Sequence, residues 1–189
     1  MKRLKALFIA AGILAFGLVA THGAYAGEED TAKLLAVLPN AKVSLADGIK
    51  QATKGQEVPI SGKFELDDNG KLSLSVYTAE KGLSMLPEKN VLKELAGSPE
   101  QAAWTPDTEV FKDVEHVARS SQHLVLSALS HLPLLAIVED ASKHASGIVY
   151  SINPTLHGRK AVFEVLVANK DKVSKLTYDI PSGKFVGSK

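Results

Sequence analysis

The sequence predicts an α+β fold of two small units, each a helix packed on an antiparallel β-sheet, joined by a helical linker. Three observations carry this expectation. Apolar and polar residues alternate along 58–66, 72–77 and 161–168, the period of a strand with one buried face. Apolar residues recur at helical spacing along 45–52 and 134–145. The order helix, glycine, strand pair then appears twice, about 90 residues apart. Gly55 and Gly147 end the two helices, and Gly70 and Gly158 each precede a strand that contains lysine. The chain therefore divides into a signal peptide (1–26), a first α+β unit with an N-terminal segment (27–107), a linker helix (108–133) and a second unit (134–189).

The signal peptide is read from its three parts. Lys2, Arg3 and Lys5 form a basic start, and 6–19 is uncharged and apolar. Ala24-Tyr25-Ala26 then places small residues at the last and third-last positions before a cleavage between Ala26 and Gly27. The apolar run is shorter than the roughly 20 residues a membrane span needs, so no stable anchor is expected after cleavage. The expected location is the bacterial periplasm or the medium outside. The chain has no cysteine, which excludes lipid attachment at cysteine, a thiol nucleophile, a disulfide and a thiolate metal site. Cleavage removes three of the 22 Lys and Arg and none of the 21 Asp and Glu, for a charge of about −2. A near-neutral surface lacks the basic footprint of a nucleic-acid binder.

The elements follow in order. Glu28, Glu29 and Asp30 suit the positive end of a short helix that carries Leu34, Leu35, Val37 and Leu38 and stops at Pro39. Ser44 is placed to cap the next helix, with Asp47 three residues on as a short version of the capping box. Leu45, Ile49 and Ala52 make its apolar stripe, and Gly55 ends it. A strand reaches Asp67, and Asp68-Asn69-Gly70 turns the chain into a second strand with Leu72, Leu74 and Val76 on one face. Pro87 followed by 88–96, with Gly97 beyond, predicts a short helix. Trp104, the only tryptophan, belongs either to an edge strand or to a loop that covers the core.

Residues 108–131 predict a long helix of uneven pattern, stopped by Pro133. Val110, Val114, Val117 and Ala118 are separated from Leu124, Val125, Ala128, Leu129 and Leu132 by the polar run 119–123. This helix is expected to pack against both units; a docking face for a partner is the alternative. In the second unit Ile137, Val138 and Ala141 supply the helical face. Strands are expected at 148–152, 161–168 and 172–180, with a turn at Asn169-Lys170-Asp171.

The second unit closes on Tyr178-Asp179-Ile180-Pro181-Ser182-Gly183-Lys184-Phe185-Val186. Pro181 fixes φ, Gly183 is free to take positive φ, and Asp179 is placed to accept hydrogen bonds from the turn. Helix, glycine break, strand pair and a closing Tyr-Asp-x-x-x-Gly-Lys strand together resemble a PepSY domain. The first unit is similar in its helix, glycine and hairpin but lacks the closing motif. The resemblance implies a small α+β module outside the cytoplasm. The family occurs in propeptides of thermolysin-like peptidases and in stand-alone exported proteins, and the implied role is to restrain a peptidase. A tandem of such units is also similar in architecture to β-lactamase inhibitory protein.

Chemistry-bearing motifs are sparse. The sequence contains no HExxH, Walker or dinucleotide-binding string, and neither Gly-x-Ser-x-Gly nor Ser-x-x-Lys in a suitable setting. No catalytic, cofactor-binding or metal-ligating residue is therefore assigned, and an enzyme is not expected. His116 and His123 lie seven residues apart, about 10 Å along a helix, too far to share an ion whose ligands sit at about 2 Å. They and His131 are expected as polar residues on a partly exposed face. Asp140 and His144, at i and i+4, are expected to pair on a helix surface. The expected function is non-catalytic: an exported binding or regulatory protein whose partner is a periplasmic protein or peptide, a peptidase among the candidates. An exposed sheet edge pairing with an extended segment would serve it. The alternative is a periplasmic carrier of a small ligand or a metal.

Overall fold

The computed structural model of the protein describes residues 28–189; the signal-peptide region lies outside them. Helix α1 (Glu28–Val37) runs into a single 3-10 turn at Leu38–Asn40 and buries Leu34 and Leu38 in the core, as a packed arm. Helix α2 (Leu45–Ala52) begins at Ser44, whose Oγ accepts the Asp47 N–H at 3.1 Å while Asp47 accepts the Ser44 N–H at 3.3 Å. Both halves of the capping box form. The return bond is the longer, as the short Asp side chain requires.

Eight strands follow: β1 (Val58–Leu66), β2 (Leu72–Ala79), β3 (Leu92–Gly97), β4 (Asp107–Val110), and, beyond helices α3 (Val114–Ser127) and α4 (Leu134–His144), β5 (Ile148–His157), β6 (Lys160–Asn169), β7 (Lys172–Asp179) and β8 (Phe185–Ser188). The fold is α+β. All eight strands lie in one antiparallel sheet of order β4-β3-β2-β1-β5-β6-β7-β8. The helix-plus-strands order does occur twice, but the two sets of strands are continuous. They join where β1 meets β5, at Gly62↔Ile152 and Lys63↔Ser151.

Helices α2 and α4 lie together on one face of this sheet and share one core. Leu45, Ile49 and Phe64 belong to the same buried cluster as Ile137, Phe163 and Tyr178. Each fully buried large apolar side chain contributes about 1.5–3 kcal/mol. The contact is close because Gly48 faces the sheet: a Cβ there would meet Leu74 Cδ2 at 2.6 Å.

Helix α3 takes the opposite face, over β1, β3 and β5. A β-bulge in β1 between Pro59 and Ser61 lets two consecutive residues meet it: Ile60 packs in a small cluster with Leu124, and Ser61 bonds to His123.

Three sequence expectations are corrected here. Residues 88–96 are not helical: a 3-10 turn at Pro87–Lys89 is followed by β3, because Leu92 to Gly97 pair along β2 in full register. Ladder pairing outweighs the helix propensity of that stretch. The linker helix does not begin at 108, since Asp107–Val110 is strand β4, paired with β3, and Asp113 caps the helix by accepting the His116 N–H at 3.0 Å. The first two strands of the second unit are also longer than read, β5 extending to His157 and β6 spanning Lys160–Asn169, while β7 ends one residue early at Asp179. Trp104 covers the core from a loop, only 2% exposed, and its Nε1–H donates to the Gly97 carbonyl at 3.2 Å.

Candidate functional site

The candidate site is the cleft where α4 overhangs the end of the sheet. Its floor is built by the closing motif. Asp179 Oδ1 accepts the Ser182 N–H at 3.0 Å, and the Gly183 N–H donates to the Asp179 carbonyl at 2.8 Å. These bonds hold the turn as the sequence predicts and deliver Phe185 into β8. Opposite them, α4 presents Asp140, Lys143 and His144 from its last two turns.

Asp140 ties the two sides together. It accepts hydrogen bonds from Lys143 Nζ at 3.0 Å and from Tyr178 OH at 3.3 Å, and lies 3.1 Å from His144 Nε2. The Lys143 ammonium, helped by Tyr178 and His144, holds the Asp140 carboxyl below the usual carboxylate range. Burial, then the Asp140 charge, pushes the Tyr178 phenol well above its ordinary value. The His144 ring stacks on Phe185, centroids 3.9 Å apart and planes 12° from parallel, with Tyr178 edge-on to both. The result is a flat aromatic platform beside an open cleft of about 750 Å³, with Glu139, Lys143 and Lys184 at its rim and Leu132, Ala136 and Ile137 along its wall.

This cleft borders an unpaired strand edge. β8 ends the sheet order, so among the described residues nothing pairs with its outer side. Lys175 and Lys189 exchange main-chain bonds of 2.9 Å on the inner side. The alternation of an antiparallel ladder then turns the Ser188 N–H and C=O outward. The arrangement offers main-chain hydrogen bonding beside a mixed apolar and charged recess.

The i and i+4 pairing of Asp140 with His144 forms as the spacing predicts. The other histidines singled out in the sequence, His116, His123 and His131, stay apart. His116 bonds to Asp113 at 2.9 Å and stacks on Phe111; His131 sits at the rim of a second recess of about 220 Å³ whose walls include Ile49, Leu83 and Phe163. His123 departs from the expected exposed face: it is turned into the α3–β1 contact, its Nδ1 2.9 Å from Ser61 Oγ. Among the described residues no group of three or more His, Cys, Asp or Glu is placed to hold a metal ion. No described helix is long and apolar enough to cross a membrane. The contact of Tyr178 with Asp140 was not readable from the sequence. Each residue belongs to a recognisable local pattern, but nothing local reports their meeting across 38 positions.

No protein-family model matches the chain, and no curated protein does. Among solved structures the chain is similar to a candidate lipoprotein from Clostridium difficile 630, with 15% identity, a TM-score of 0.40 and coverage of 79% of this chain and 93% of that one. The similarity is distant, and the α+β assignment rests on the chain's own strands and helices.

Proposed function

We propose that this is an exported, non-catalytic binding protein that takes an extended segment of a protein partner along β8 and over the α4–β8 cleft. The basic start, apolar run and Ala24-Tyr25-Ala26 support export. The observation that carries the binding mode is the juxtaposition of the outward Ser188 main-chain groups with the Phe185–His144 platform. A strand added at such an edge gains main-chain hydrogen bonds for affinity, and the cleft receives alternate side chains for selectivity. The PepSY-like order of helix, glycine, strands and closing motif supports an exported peptidase as the partner restrained in this way. The carrier alternative would have to use this same open cleft, since the apolar recess of about 220 Å³ is below the usual range of roughly 300–1,000 Å³ for small-molecule sites.

The test is an array of unstructured ten-residue peptides probed with the purified protein and with a Ser188→Pro variant. Proline removes the outward N–H while leaving the inner ladder bonds of Lys189 in place. A subset of peptides should bind, with affinity falling about tenfold in the variant, the worth of one to two hydrogen bonds. Phe185→Ala should narrow or abolish the preference among peptides. Binding unchanged by both substitutions, or no binding at all, refutes the assignment.

A further inference from the structure

Helix α3 is amphipathic in the inverted sense. The buried side carries Ser120 and Ser127, 2% and 4% exposed, together with His123 and two apolar residues, Leu124 and Leu126. This polarity suits the sheet face below, where Ser61 bonds to His123, the Ile60 carbonyl accepts from Ser127 at 3.3 Å, and Ser75 donates to Glu65. The side turned to solvent carries Val114 at 85% exposed, Ala118, Val125 at 53% and, in the turn that continues the helix, Leu129 at 51%. A helix normally buries its apolar stripe and exposes its polar one. Here the apolar stripe has no partner within the described chain.

We infer that this stripe is the interface through which a second copy of the chain docks, the two α3 helices packing antiparallel about a two-fold axis. The spacing is what selects a second copy. From a centre between Ser121 and Gln122, the apolar positions fall in the same steps toward both ends: Ala118 and Val114 one way, Val125 and Leu129 the other. Turning the helix end for end about that centre lays Val114 on Leu129 and Ala118 on Val125. A two-fold interface requires this self-complementarity, because each copy contributes the same patch. Small residues at the centre, Ala118 and Ser121, allow the helices to approach closely while the larger ends interdigitate.

The flanking charges agree with this occupant. Glu115 and Arg119 bond to each other at 2.8 Å beside the stripe, and Asp113 engages His116, so the rim lacks the excess of cations that an anionic membrane surface attracts. The stripe spans about 22 Å of helix. Val110 and Leu132, both exposed, lie beyond its opposite ends, and the same two-fold brings the Leu132 end of one copy to the Val110 end of the other.

Because the chain has no cysteine, the interface can be tested directly. In Ser121→Cys the new thiol lies next to the axis, and mild oxidation with copper phenanthroline should link two copies. Lys71→Cys, exposed in the β1–β2 turn, should not link at the same rate. Sedimentation should show a concentration-dependent dimer whose dissociation constant rises about 100-fold in Val125→Glu, which places a carboxylate in each half of the contact. The circular-dichroism melt of that variant below its dimerisation range should match the parent, since Val125 is exposed. A protein that stays monomeric to about 100 μM, a dissociation free energy below about 5.5 kcal/mol, overturns the proposal. So does equal cross-linking of the two cysteine variants. Retention on phosphatidylcholine vesicles that Val125→Glu abolishes would assign the stripe to a lipid surface and overturn it too.

Discussion

His123 makes the stability of this protein pH-dependent between the ordinary imidazole value and the lowered one it has in the fold. Its imidazole lies between α3 and β1, bonded to Ser61, with Lys63 reaching it from the sheet and Arg119 from its own helix. Burial first, then the charges of Arg119 and Lys63, pushes it down from 6.5 to about 4. The unfolded chain takes up a proton near 6.5 that the folded protein refuses until about 4, so the unfolded state binds more protons across that interval. The contribution is complete above the unfolded value, is lost as pH falls through the interval, and levels off below the folded value. Between pH 7.5 and 5, linkage at 1.36 kcal/mol per pH unit makes the loss about 2 kcal/mol. The carboxyls of Asp113, Asp140, Asp179 and Glu164 are all held low, so they stay ionised throughout this interval. Urea unfolding at both pH values, followed by the fluorescence of buried Trp104, measures the loss in the parent and in His123→Gln. The variant should lose about 2 kcal/mol less on acidification, whatever its stability at neutral pH. Parallel pH dependence in the two proteins would refute the placement of His123 in a dry contact.

The same assay distinguishes several local claims. Gly147→Ala should cost more than about 3 kcal/mol, since φ is +139° and the new Cβ would lie 2.1 Å from the Ala168 carbonyl oxygen; Gly55→Ala, at φ +60° with open space around it, should cost only about 1–2 kcal/mol. Equal shifts would contradict the different surroundings of these two glycines, which lie beyond the helix C-caps Thr53 and Ala145. Ser44→Ala should cost about 1 kcal/mol through loss of the α2 cap. Tyr178→Phe should cost about 1 kcal/mol, because it removes the hydroxyl bond to Asp140 from a fully buried ring. A neutral result there would mean that Lys143 and His144 alone hold the carboxylate.

The elements set by local chemistry were legible in the sequence. The Ser44 cap, the Asn69-Gly70 turn and the Asp179–Ser182 closing turn each depend on residues within four positions of one another. What pairing decides was less legible. Residues 88–96 carry helix-favouring Glu, Lys, Leu and Ala, yet their place beside β2 is a tertiary fact, and it prevails. The uneven pattern of α3 defeated the usual assumption that the apolar side faces inward. It was a true signal, since the polar Ser120 and Ser127 are buried beside Leu124 and Leu126, and His123 bonds to Ser61. Of the candidate cleft, the Asp140–His144 pair and the closing turn were readable, whereas their assembly with Tyr178 and Phe185 required the fold.

The strand order has a kinetic consequence. Every neighbouring pair in the sheet is consecutive in the chain except β1 and β5. Two meanders can therefore zip from local contacts, but the seam must close a loop of about 90 residues, an entropic charge near 4 kcal/mol by the logarithmic law. Such a topology concentrates its contact order in one place. Closure of the seam should then be the barrier to folding, with its contacts formed in the transition state. Ile152→Val at the seam and Asn69→Ala in the β1–β2 turn, which forms before the seam closes, should then both slow folding and barely change unfolding. Stopped-flow refolding of the two variants tests this, and a φ-value near zero at Asn69 would mean that the halves do not fold as separate meanders before they meet.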